Sequence, residues 1–120
     1  APLVERPSEV VAMNRAALNK FESRVAPGGT VFVNSSIIPD KVSREDVTAV
    51  YVPCDEIASE LGNPKVANMV MLGAYVAATG ALKQETIETM IAGMFTGKKA
   101  KLVPLNLEAL HRGMERGQPA

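Results

Sequence analysis

The chain has no tryptophan, one cysteine and no net charge, and each shortage removes a class of function. A single thiol, Cys54, cannot form an intramolecular disulfide, nor can it hold an iron–sulfur cluster that takes four thiolates. Redox centres, if the protein works with them, sit on another chain. Thirteen basic side chains against thirteen acidic ones leave no broad field to attract nucleic acid or an anionic membrane. The aromatics are three Phe and two Tyr, too few for a platform on which bases stack. The charge-free run over residues 66–79 falls short of the roughly 20 residues needed to cross a bilayer. The start of the chain shows no basic region followed by an apolar core. Cytoplasmic residence is therefore the expectation. The first residue is Ala1 rather than Met, which predicts a chain processed, trimmed or cut from something longer.

What is present describes a packed domain. With 120 residues, 47% of them hydrophobic and 22% charged, the chain suits one globular core. Pro2, Pro7 and Ser8 read as a lead-in. The run Val10, Val11, Ala12 and Met13 predicts a short strand buried on both faces. Asn14 then caps a helix marked by Leu18, Phe21 and Val25, which Pro27, Gly28 and Gly29 stop. Residues 30–33 give a second strand ending in Asn34, Ser35 and Ser36, so the unit reads as βαβ with a parallel pair. Val47, Ala49, Val50, Tyr51 and Val52 predict a third strand that Pro53 terminates. Helices follow: 55–61, ended by Gly62; 65–79, started by Asn63 and Pro64, closed by Gly80 and apolar nearly all round; one with Ile87, Met90, Ile91 and Met94 on one face; and 104–116, burying Leu107, Leu110 and Met114. Gly73 and the alanines of the second of these predict close approach to its neighbours. Three strands for five helices make the sheet look incomplete.

Residues suited to catalysis are few. His111 has no Ser or Cys at a motif spacing, and with Cys54 it falls short of the ligands a zinc site requires. Cys54 stands at a helix start, where the dipole lowers a thiol pKa, or is simply a small residue at a turn. Asp55, Glu56 and Glu60 read as a solvated face. Lys98, Lys99 and Lys101 form a basic cluster beside Gly97, either an exposed loop or a contact for a phosphate or an acidic partner. Ligands of parallel α/β sheets bind outside the carboxyl ends of strands, which singles out Asn14, Ser35 and Ser36. The same residues also serve routinely as caps and turn formers. Asn68 is the polar residue least expected inside an apolar helix, where a buried amide must find partners.

The run LGNPKVANMVMLGAY at 61–75 resembles the signature segment of gamma subunits of 2-oxoacid:ferredoxin oxidoreductases. In the family's order come Val11-Ala-Met-Asn14, Pro27-Gly-Gly29, Asn34-Ser-Ser36, Val52-Pro53 with Glu56-Ile-Ala58, and Leu105-Asn-Leu107. The resemblance implies an α/β fold: a Rossmann-like three-layer α/β/α domain with a mainly parallel sheet, here partial, with C-terminal helices. It implies a gamma domain over 1–120 with no catalytic residue of its own, in a complex with alpha, beta and ferredoxin-like delta subunits. Thiamine diphosphate, iron–sulfur clusters and coenzyme A are expected in that complex and not on this chain alone. Asn14, Ser35, Ser36 and Asn68 are then the expected cofactor-facing or interface positions. The family's opening Gly-x-Gly-Gly-Gln-Gly loop does not precede Ala1, so the chain is expected to be the C-terminal two-thirds of such a domain. Two other readings compete: a scaffold that self-associates through an open sheet edge, and a regulatory domain binding a small molecule through Asn14, Ser35 and Ser36. A chain with uncovered apolar surface is expected to exceed monomer mass when isolated.

Overall fold

In the computed structural model, which describes residues 8–117, the β-branched runs become three strands: β1 (Glu9–Ala12), β2 (Thr30–Asn34) and β3 (Thr48–Val52). Pro2 and Pro7, the expected lead-in, lie outside the described residues. The chain divides into two compact units, Ala1–Pro53 and Cys54–Ala120. All three strands belong to the first.

Both strand pairs are parallel, with β2 in the centre of the order β1-β2-β3. The register runs from Glu9 opposite Thr30 to Ala12 opposite Val33, and from Thr30 opposite Thr48 to Asn34 opposite Val52. Helix α1 (Arg15–Phe21) makes the crossover from β1 to β2, as the βαβ reading requires. Side chains alternate across a strand, so Val10, Ala12, Val31 and Val33 share one face. They form a core with Leu18, Val25 and Ile38. Central β2 is buried from Val31 to Asn34, whereas β1 corrects the expectation of burial on both faces: Val11 is 39% exposed. An edge strand has a neighbour on one side only, and the face that carries Val11 is left partly open.

The connection from β2 to β3 is polar in sequence but tied down in structure. Arg44 donates from Nη1 to the carbonyls of Glu22 (3.1 Å) and Val25 (2.5 Å), and its Nη2 meets Asp46 at 2.7 Å. The Glu22 carboxylate accepts from the backbone and hydroxyl of Ser43 at 2.7 and 3.0 Å. Tyr51 accepts a bond from the Val42 N–H at 2.9 Å. These bonds answer where the backbone groups of a long loop go when no ladder is available.

The second unit is helical: α2 (Cys54–Glu60), α3 (Ala67–Thr79), α4 (Gln84–Met94) and α5 (Val103–Gly117). Asn63 accepts from the Lys65 N–H at 2.9 Å and starts the 3-10 turn Pro64–Val66 that leads into α3. Gly80 closes α3 with φ +65°, donating to the Val76 carbonyl at 2.9 Å. Helices α3 and α5 meet backbone to backbone. A Cβ added at Gly73 would overlap the Leu110 carbonyl, one at Gly113 the Val70 carbonyl, and one at Gly117 the Ala74 carbonyl. The role read for Gly73 is thus shared by two glycines of α5. Helix α4 departs from its expected face: Ile87 and Ile91 are buried, but Met90 and Met94 are exposed. Only the line of residues four apart reaches the core, since α4 packs on its neighbour along one narrow stripe.

Candidate functional site

Parallel strands bring their carboxyl ends to one edge, and there the sequence places Asn14 beyond β1, and Ser35 and Ser36 beyond β2. Each of these residues has a local reason to be there. Asn14 is extended, with φ −149°, and its Oδ1 accepts from the Ala17 N–H at 2.8 Å, capping α1. Its side chain is exposed. Ser35 is half-buried and its N–H donates to the Val52 carbonyl at 2.9 Å, joining the ends of β2 and β3. Ser36 is exposed, and its N–H donates to Asn34 Oδ1 at 3.3 Å.

Asn34 organises this edge. It is fully buried, and its carbonyl accepts from the N–H groups of Ile37 and Ile38 at 3.2 and 3.0 Å while its side chain holds Ser36. The sequence marked Asn34 only as the end of a strand. The available signal was an amide directly after Val31, Phe32 and Val33, where a strand is still buried and a polar group persists only when bonded. The resulting turn is bonded at its root, and Ser36 at its tip is exposed.

Asn68 corrects an expectation. It lies in α3 of the other unit and is exposed, so no buried amide seeks partners there. The helix is not apolar all round: Asn68 stands exposed in its first turn, one turn after the exposed Lys65 of the preceding 3-10 turn.

The chemically reactive groups are otherwise engaged. Cys54 is the first residue of α2 and fully buried; burial, followed by the neighbouring Asp55, pushes its thiol up to about 12. Burial thus outweighs the lowering effect of a backbone hydrogen bond to the thiol, and the thiolate form required of a nucleophile is disfavoured. Glu60 pairs with Arg112 of α5. The exposed His111 sits with Nε2 2.5 Å from Glu88 Oε2, joining α5 to α4. Hydrogen bonds from Gln84 and then His111 hold the Glu88 carboxyl below its ordinary range. Lys98, Lys99 and Lys101 stand exposed in the 3-10 turn Gly97–Leu102. Among the described residues no three His, Cys, Asp or Glu side chains converge on a point that could hold a metal ion. A cluster held by four thiolates does not fit one buried cysteine. No described helix is long and apolar enough to cross a membrane.

This arrangement can cap, brace and present surface, and the chain as a whole is similar to known proteins. The subunit VorA of ketoisovalerate oxidoreductase from Methanothermobacter thermautotrophicus is 37% identical over 117 residues, covering 96% of this chain and 24% of that protein. The subunit KorC of 2-oxoglutarate synthase from Methanocaldococcus jannaschii is 36% identical over 92 residues, covering 75% of this chain and 49% of the relative. The chain therefore spans about a quarter of the first relative's length and about half of the second's. In structure, the gamma subunit of a keto/oxoacid ferredoxin oxidoreductase from Geobacter sulfurreducens superposes with a TM-score of 0.81 at 25% identity, covering 92% of this chain and 63% of that one. The α/β class with a parallel sheet is thus the fold of that neighbour as well. The family model described as pyruvate ferredoxin/flavodoxin oxidoreductase matches residues 1–116, and the chain belongs to that family.

Proposed function

We propose that the chain is the gamma part of a 2-oxoacid:ferredoxin oxidoreductase, present in cytoplasm, and contributes assembly surface rather than reacting groups. The observation that carries this reading is the 37% identity sustained over 117 residues to a ketoisovalerate oxidoreductase subunit. In the assembled enzyme, alpha, beta and ferredoxin-like delta subunits supply thiamine diphosphate and iron–sulfur clusters. The reaction decarboxylates a 2-oxoacid, passes the released electrons to ferredoxin and leaves the acyl group on coenzyme A. This chain's residues do the positioning. Asn34 fixes the turn that presents Ser35 and Ser36, and Asn14 secures the helix beside it. Ser35, Ser36 and Asn14 are the positions we assign to contact with coenzyme A, and the exposed Asn68 to contact with a partner subunit.

Affinity capture of the intact native protein from its own cytosol tests the assignment. Mass spectrometry is expected to find a thiamine-binding subunit and a cysteine-rich, ferredoxin-like subunit in the recovered complex; the protein alone overturns it. The pure chain is expected to give no turnover with a 2-oxoacid, thiamine diphosphate, coenzyme A and an electron acceptor. In the assembled enzyme, a Ser35→Ala/Ser36→Ala double variant is expected to raise KM for coenzyme A and leave KM for the 2-oxoacid unchanged. Equal KM values for coenzyme A would remove both serines from the coenzyme contact.

A further inference from the structure

From Thr89 through Leu107 the sequence holds three lysines and no acidic residue, in a chain whose charges otherwise balance. All three, Lys98, Lys99 and Lys101, project from the exposed turn Gly97–Leu102. Ion pairs among the described residues engage Arg15, Arg44, His111 and Arg112, and none of the three lysines. Helix electrostatics do not account for them. The turn leads straight into α5, whose first turn carries no acid, and cations at the positive end of a helix are unfavourable.

The residues just before the turn add an apolar component. Met90 and Met94 lie one helical turn apart on α4 and are 54% and 64% exposed, while Ile87 and Ile91 of the same helix are buried. Methionine adapts its shape to irregular apolar surface, and lysine meets carboxylates as a flexible point charge. Twelve consecutive residues, 90–101, therefore present two adaptable apolar side chains and three uncommitted cations.

We propose that Met90, Met94, Lys98, Lys99 and Lys101 form a docking surface for the acidic, partly apolar face of another protein chain. The inference rests on the function proposed above in one respect, that this second chain is a subunit of the same enzyme. A free phosphate would satisfy the lysines and leave the methionines with nothing to cover them. Nucleic acid lacks the aromatic platforms it stacks on, and a chain with no net charge offers an anionic membrane no broad field of attraction.

The test compares assembly of the intact protein with its co-purified partner subunits, measured by interferometry at low and high salt. Lys98→Gln/Lys99→Gln/Lys101→Gln is expected to weaken association about tenfold at low salt and to flatten its salt dependence. The corresponding triple Arg variant is expected to retain wild-type affinity. Met90→Gln/Met94→Gln is expected to weaken association severalfold at both salt concentrations, since its contribution is apolar. Circular dichroism of each variant checks that these exposed substitutions leave the fold intact. Wild-type affinity in the Gln variant overturns the docking surface while leaving the proposed function standing. Failure of the wild-type protein to assemble overturns both. Displacement of the partner by inorganic phosphate at constant ionic strength, with the methionine variant unaffected, overturns the docking surface in favour of a phosphate site.

Discussion

The two units of this chain are held together in opposite ways. The sheet unit is a conventional interior of branched side chains, in which Leu18, Val25, Val31 and Val33 fill the space under three parallel strands and polar bonds fasten the loop from Ser35 to Val47. In the helical unit, α3 and α5 touch where side chains are missing, at Gly73, Gly113 and Gly117. Bulk fills the first throughout, whereas the second joins a core of Val76, Ile87, Ile91 and Leu110 to a seam from which bulk is absent. The same change in side-chain size should therefore have opposite consequences in the two units.

The sharpest way to break that contrast is Gly113→Ala. One added methyl meets the Val70 backbone, which cannot swing aside as a side chain can, and the expected loss exceeds about 3 kcal/mol by urea titration. Leu18→Ala removes bulk from the sheet unit and is expected to cost about 3 kcal/mol in the same assay. If the alanine at 113 proves the milder of the two, the backbone contact between α3 and α5 is looser than described. Arg44→Ala leaves the Glu22 and Val25 carbonyls without their donor and is expected to lower the urea midpoint by less than either of those changes.

The smallest effect lies on the exposed side of the helical unit. The Glu88 carboxyl is held below its ordinary value, so its favourable bonding is present above the unfolded glutamate value of about 4.3 and is lost as pH falls through the lower, folded value. A carboxyl-carbon NMR titration should place its midpoint below that of free glutamate. Gln84→Ala and His111→Ala should each move it back toward the free value, since both side chains bond the carboxyl. An unmoved midpoint in His111→Ala would mean that the link between α4 and α5 is not formed.

Sequence reading succeeded where a local rule governs. Asn14, the pair Asn63 and Pro64, and Gly80 each act within a few residues of themselves, and all three do what their types predict. The parallel pairing of β1 and β2 follows from a crossover helix between two branched runs. Reading failed where burial depends on what lies across the fold. Met90 and Met94 fit the helical period as well as Ile87 and Ile91, yet only the isoleucines face a neighbour. Asn68 looked enclosed because its sequence neighbours are apolar, although Lys65 one turn earlier already marked that side of α3 as wet. Gly113 and Gly117 carried a legible signal, small residues four apart on one helix, which gains meaning only beside Gly73 on another.

The site was less legible than the fold. Asn14, Ser35 and Ser36 do gather at one sheet edge, because parallel topology requires it. The residue that shapes the edge is Asn34, whose complete burial the sequence signals only through the apolar run before it.

The enclosed Cys54 has a practical consequence. Its thiol is shut away and reluctant to ionise, so an alkylating reagent added to the folded protein has to wait until the surroundings of α2 part. As the chain has no second cysteine, the labelling rate reads this one opening event without interference. The protein thus carries its own stopwatch, and the slowing of that rate when partner subunits are added would report how firmly an assembly clamps the helix shut.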